Sequence, residues 1–376
     1  GDKRLDAAYT IFYMGVNVGS FAAPLICGFL GDTGNPQDFK WGFLASGIMT
    51  LFTVVLFETQ KNKYLFSPSG EPIGIVPDAR REKKEDKAEH ISHPKMDKRT
   101  KVRNIIIITA LTVALIAFFS YAFSDDWISV GIFTACIVFP VLILLDGSLT
   151  KVERSRIFVI YIVAFFVIFF WAAYEQAGAS LTLFASEQTD RSIFGWEMPA
   201  SWFQSFNPLF VVILAYIMPG IWGFLNKRNM EPASPTKQAI GLLLLSLGYL
   251  FICFGVKDAI PGVKVSMIWL TGLYFIHTMG EIALSPIGLS MVNKLSPLRF
   301  ASLMMGIWYL STATANKFAG MLSGLYPEDG KVKSILGYQI ATMYDFFMLF
   351  VIMSGVASLI LFLLSKKLQK MMHGVE

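Results

Sequence analysis

Ten long apolar runs separated by polar loops dominate the chain, near residues 9–30, 41–57, 104–124, 127–146, 157–185, 203–225, 239–255, 265–292, 300–323 and 342–364. About 20 helical residues cross the ~30 Å hydrocarbon core of a bilayer, so each run is of spanning length. In lipid only helices and closed barrels satisfy every backbone group, and these runs lack the period-2 alternation of a barrel strand. The pattern predicts an all-α polytopic membrane protein with ten transmembrane helices in this chain. The spacing of the runs also divides it. Two spans (1–57) precede a polar stretch, 58–103, which holds Pro68, Pro72, Pro77 and Pro94 and a mixed-charge run from Asp78 to Lys87. That stretch reads as a solvated linker, partly helical or disordered. A hairpin, 104–146, turns at Ser124-Asp125-Asp126, and six further spans fill 147–376.

Composition agrees: 54% of the 376 residues are hydrophobic and 16% charged, with 33 Phe and a mean hydropathy of +0.55, values outside the range of soluble domains. Of the 32 Lys and Arg, 25 fall on alternate loops that include both chain ends and the 58–103 stretch. Six fall on the opposite loops (Lys40, Arg191, Lys257, Lys264, Lys331 and Lys333), and Lys317 lies inside a span, where it could snorkel to the interface. Cytoplasmic loops carry the basic excess, so both ends are predicted cytoplasmic. The net charge of +5 is then a topology signal and calls for no nucleic-acid partner. Cys27, Cys136 and Cys253 sit in separate apolar runs without metal or redox spacing. No Gly-rich phosphate loop, HExxH motif or nucleophile elbow is present, so the sequence offers no catalytic constellation, no metal site and no cofactor site, and an enzyme is not expected.

The departures from apolarity carry the chemistry. Glu281 lies mid-span in Tyr274-Phe275-Ile276-His277-Thr278-Met279-Gly280-Glu281-Ile282-Ala283-Leu284-Ser285-Pro286, and Glu175 follows Phe169-Phe170-Trp171-Ala172-Ala173-Tyr174. An acid at the bilayer centre costs roughly 2.5 kcal/mol or more, and such residues mark substrate, ion or proton pathways. Glu281 could instead be satisfied within its own helix by His277 or Ser285, at i−4 and i+4. Glu175 is four residues beyond Trp171, hence on the same helical face. Gly15 and Gly19 have GxxxG spacing, and Gly178, Pro208 and Pro286 could soften helices that bend; ordinary helix packing accounts for all five equally well.

Five segments, in order, resemble one family. Tyr9-Thr10-Ile11-Phe12-Tyr13-Met14-Gly15-Val16-Asn17-Val18-Gly19-Ser20-Phe21 is similar to the FYxxINxGS motif of the proton-dependent oligopeptide transporters of the major facilitator superfamily. Phe170-Trp171 with Glu175-Gln176, Asn207-Pro208-Leu209, Gly280-Glu281 with Ser285-Pro286 and Gly288-Leu289, and Met305-Gly306-Ile307-Trp308-Tyr309-Leu310 resemble that family's seventh, eighth, tenth and eleventh helices. The 104–146 hairpin resembles the extra helix pair of prokaryotic members. The resemblance covers essentially the whole chain but begins at the family's fifth helix. The ExxERF motif of helix one and the KPN lysine of helix four have no match here, and neither an initiator Met nor a signal peptide opens the chain at Gly1. The expectation is a fragment whose first four helices lie in the full-length protein.

The resemblance implies proton-coupled symport of di- and tripeptides by alternating access across a bacterial cytoplasmic (inner) membrane, driven by the proton gradient with no cofactor. It divides the chain into family helices five and six (1–57), a cytoplasmic linker (58–103), an accessory hairpin (104–146) and a C-terminal six-helix bundle (147–376). It gives Glu281 and Asn207 the substrate's amino group, Trp171 and Trp308 pocket walls, and Ser285 a place among the substrate-binding residues. Glu175 and Glu281 become the proton-coupling acids, with Glu175 paired in the family to the helix-four lysine. Substrate, protons and the lipid bilayer are the implied partners. Another small substrate on the same fold, such as nitrate or a modified amino acid, or a non-transporting remnant or scaffold, stays open.

Overall fold

A computed structural model of the chain describes residues 3–66, 97–123, 126–257, 263–328 and 331–375; the side chains of 3–13, Tyr216 and Pro219 lie outside the description. Each of the ten apolar runs is helical. The helices are α1 (Lys3–Gly31), α2 (Phe39–Tyr64), α3 (Lys98–Phe123), α4 (Trp127–Leu144), α5 (Lys151–Tyr174), a short α6 (Ser180–Glu187), α7 (Phe206–Asn226), α8 (Ser234–Val256), α9 (Met267–Leu295), α10 (Ala301–Ser323) and α11 (Met343–Met371). Among the described residues, nine segments are long and apolar enough to cross a membrane, one of them running from α5 through α6. The tenth, α10, is as long but interrupted by Ser311, Thr312, Thr314, Asn316 and Lys317.

Helix ends run past the apolar runs wherever polar residues can cap or continue a helix. α2 continues to Tyr64 and α3 begins at Lys98, so the flanks of the 58–103 stretch are helical; residues 67–96 lie outside the description, as do Ser124 and Asp125 of the expected turn. α5 starts at a capping box in which Glu153 N donates to Thr150 Oγ1 (3.1 Å) and Thr150 N to Glu153 Oε2 (2.7 Å).

The 157–185 run, expected as one helix, is two. α5 stops at Tyr174, a 3-10 turn takes Glu175–Gly178, and Ala179 (φ −130°, ψ −99°) leaves the helical region before α6. Fully buried Gln176 secures the break. Its Nε2 donates to the carbonyls of Ala172 (3.1 Å) and Ala319 (3.0 Å), while its Oε1 accepts from the hydroxyls of Ser180 (2.6 Å) and Ser323 (2.9 Å). Buried polar groups need partners, and here all four hydrogen-bonding sites of the amide are met.

One apolar core runs from Ile143 on α4 to Met372 at the end of α11. A close backbone seam joins α8 to α9. A Cβ on Gly241 would lie 2.9 Å from the Gly280 carbonyl, and one on Gly280 2.8 Å from that of Gly241. Only glycine permits that crossing, which sets the residue before Glu281 hard against α8. At Gly15 and Gly19, by contrast, a Cβ would meet no atom within 4 Å among the described residues, so their GxxxG spacing mediates no packing here. Pro208 sits in the first turn of α7, and Pro286 lies inside an unbroken α9.

α4 leans on α10, and Lys317 on α10 is ion-paired to Asp126 at the start of α4 (2.5 Å), so it is held by a partner. The α1–α2 pair meets the rest through the 3-10 turn Ala200–Ser205 and α7. There Ser201 donates through N and Oγ to Asp32 Oδ2 (3.2 Å each), Trp202 Nε1 to the Leu25 carbonyl (3.2 Å) and Ser205 Oγ to the Phe21 carbonyl (2.9 Å).

Candidate functional site

α5, α7 and α9 converge on Glu281. Gly280 draws α9 against α8, Asn207 stands in the first turn of α7, and Tyr174 is the last residue of α5. The Tyr174 hydroxyl donates to Glu281 Oε2 at 2.5 Å, and Asn207 Nδ2 donates to the same oxygen at 2.8 Å. Asn207 Nδ2 also meets Thr278 Oγ1 (3.1 Å) and the Tyr174 oxygen, so an amide with two hydrogens faces three acceptors. Thr278 is oriented by its own donation to the Tyr274 carbonyl (2.7 Å). Among the described residues, Glu281 Oε1 accepts no hydrogen bond, and every partner of the carboxylate is neutral.

His277 and Ser285 do not satisfy Glu281. His277 is buried, with Nε2 3.2 Å from the Leu245 carbonyl of α8 and its ring against Tyr249 (4.7 Å between centroids). Ser285 is half-buried one turn further along α9. Hydrogen bonds from other helices replace the expected i±4 contacts.

The other expected residues are dispersed around this cluster. Trp171 is half-buried and packs edge-on against Tyr174 (centroids 5.3 Å, 78°), so it adjoins the site. Trp308 is buried. A Cβ on Gly288 would lie 2.4 Å from its ring, which places the indole in the α9–α10 seam. Glu175, the first residue of the 3-10 turn, is exposed. It has no hydrogen bond or ion pair among the described residues. Neither Tyr174 nor Thr278 is singled out by sequence reasoning. Thr278 lies at i−3 from Glu281, a spacing visible in the sequence, whereas Tyr174 reaches Glu281 from another helix. No group of three or more His, Cys, Asp and Glu capable of holding a metal occurs among the described residues.

The POT family model matches residues 1–340. The chain belongs to the POT family. It is a multi-pass membrane protein of a transporter fold, its relatives include peptide transporters, and its structural neighbours are POT transporters. A peptide transporter of Yersinia enterocolitica is 30% identical over 334 residues, 86% of this chain and 62% of that one. A di-/tripeptide transporter of Lactococcus lactis subsp. cremoris is 28% identical over 392 residues, covering 100% of this chain and 71% of the relative. The chain thus spans under two thirds of the Yersinia relative's length. A crystal structure of a POT peptide transporter in complex with alafosfalin superposes with a TM-score of 0.75 at 29% identity, over 100% of this chain and 70% of that one. A POT transporter in complex with 5-aminolevulinic acid gives 0.71 at 26% identity, over 98% and 70%.

Proposed function

We propose that the intact protein to which this chain belongs carries di- and tripeptides together with protons across a bacterial cytoplasmic membrane, by alternating access around a midplane site. Both ends of this chain face the cytoplasm, and substrate crosses without chemical change. The observation that carries the reading is the Glu281 carboxylate, set mid-span with only neutral donors on one oxygen. Its negative charge is available to a substrate ammonium, and a desolvated carboxylate pairs strongly with that group. Asn207 orients the carboxylate and shares the ammonium, Trp171 forms a wall beside Tyr174, and Ser285 extends the site along α9. Trp308 serves mainly as packing behind it. Glu175 and Glu281 handle the proton. Groups for the peptide carboxylate come from the helices that the family carries before this segment, and 1–57, 104–146 and 147–376 act as the remainder of the first bundle, an accessory hairpin and the second bundle.

The test is uptake of labelled dialanine by proteoliposomes holding the intact protein, with and without an imposed proton gradient. Gradient-driven accumulation is expected; the absence of accumulation in both conditions would contradict it and would favour a remnant or scaffold. A second reading rests on the POT transporter in complex with 5-aminolevulinic acid, a compound that, like a dipeptide, carries an amine and a carboxylate. Strong competition by unlabelled 5-aminolevulinic acid with weak competition by dipeptides would favour a modified amino acid as cargo, and competition by nitrate an inorganic anion.

A further inference from the structure

Three consecutive residues at the end of α5 are held in different ways. Tyr174 is bonded to Glu281 and Asn207 on α9 and α7. Gln176 is bonded to α10 through the Ala319 carbonyl and Ser323. Glu175, between them, is exposed and has no hydrogen bond or ion pair among the described residues. The break therefore has one fixed side and one adjustable side. On the Gln176 side every hydrogen-bonding position is filled by backbone carbonyls or hydroxyls whose charge does not change. On the Tyr174 side the acceptor is a carboxylate, and the Asn207 amide is divided among three acceptors, so the arrangement can shift without leaving a buried group unmet.

We propose that Tyr174 is a positioning residue that couples the charge state of Glu281 to the placement of Glu175; this rests on the peptide–proton symport reading above. Hydrogen bonds to an ionised acceptor are shorter and roughly twice as strong as neutral ones. A substrate ammonium on Oε1, or a proton on the carboxylate, weakens the acceptor that holds the Tyr174 hydroxyl. Tyr174 closes α5, so its release loosens the last turn and moves the adjoining Glu175, while Gln176 keeps α6 fixed to α10. Of the other titratable groups at this junction, His277 has its ring 6.2 Å from that of Tyr174 and its Nε2 on the Leu245 carbonyl, and the buried Tyr274 hydroxyl has no hydrogen-bond partner among the described residues, so neither competes for the Tyr174 hydroxyl.

The test is Tyr174→Phe in the intact protein, which keeps the ring contacts with Phe170 and Trp171 and removes the hydroxyl. At saturating dialanine, proton-driven accumulation is expected to fall by about tenfold or more, while counterflow exchange, which needs substrate binding and bundle movement but no net proton transfer, falls much less. Accumulation at the wild-type level would overturn the proposal, as would equal loss of both activities. A second measurement leaves the hydroxyl in place. Amide hydrogen exchange in the last turn of α5 and at the adjoining Glu175 is followed by mass spectrometry with and without saturating dialanine. A substrate-dependent rate that disappears in Glu281→Gln is expected; a rate indifferent to substrate would overturn the proposal. Failure of the unsubstituted protein to accumulate dialanine at all would instead count against the symport reading itself.

Discussion

Asn207 Nδ2 lies 2.8 Å from Glu281 Oε2, although the two residues are 74 positions apart and on different helices. Hydrogen bonds to charged groups contribute about 1.5–3 kcal/mol, or roughly ten- to a hundredfold in affinity. Asn207→Ala should therefore raise the KM for dialanine by at least about tenfold, with a smaller effect on the maximal rate, because the carboxylate keeps the Tyr174 donor. Concentration-dependent uptake at fixed proton gradient checks this. An unchanged KM would place Asn207 among structural hydrogen bonds between helices.

The α8–α9 seam should tolerate no side chain at its crossing. Gly280→Ala puts a methyl 2.8 Å from the Gly241 carbonyl, and overpacking of this kind costs about 1–3 kcal/mol. Thermal unfolding in detergent is expected to fall by several degrees. Gly220→Ala, at a position on α7 with nothing within 4 Å among the described residues, should leave it unchanged or slightly raised, since Ala favours a helix interior.

The Lys317 and Ser129 contacts hold the Asp126 carboxyl at about 2, below its ordinary 3.8. A carboxylate whose pKa is lowered by folding stabilises the folded state above its unfolded pKa, and loses that contribution as pH falls through the folded value. Docking of α4 on α10 should thus be insensitive to pH between 7 and 5, and should weaken only below about 4. Hydrogen exchange in the first turn of α4 measures this. Asp126→Asn should show the acid-state exchange already at pH 7.

The helices were legible because spanning length and continuous apolarity leave few alternatives in lipid, even for α10 with Lys317 inside it. The stop at Tyr174 was not. Glu175-Gln176-Ala177-Gly178 contains no proline, and what ends α5 is the demand of the Gln176 amide for partners on α10 and α6, a tertiary fact. The acid at 281 announced itself by its cost in a bilayer, and its link to Asn207 was indicated by family resemblance. Its real neighbours differ from the i±4 residues because His277 is drawn to the Leu245 carbonyl and Tyr174 arrives from α5. Trp308 was indistinguishable in sequence from a pocket wall; only the facing Gly288 shows where its ring packs.

The central claim is that Glu281 receives the amino group of a transported peptide. Uptake of labelled dialanine by the intact protein carrying Glu281→Gln, under an imposed proton gradient and at matched protein amounts, tests it most directly. The account predicts that uptake falls to background, since the substitution keeps the size of the side chain and removes the charge. Uptake near the unsubstituted level would contradict it and would move the substrate's amine, and the proton, to other groups.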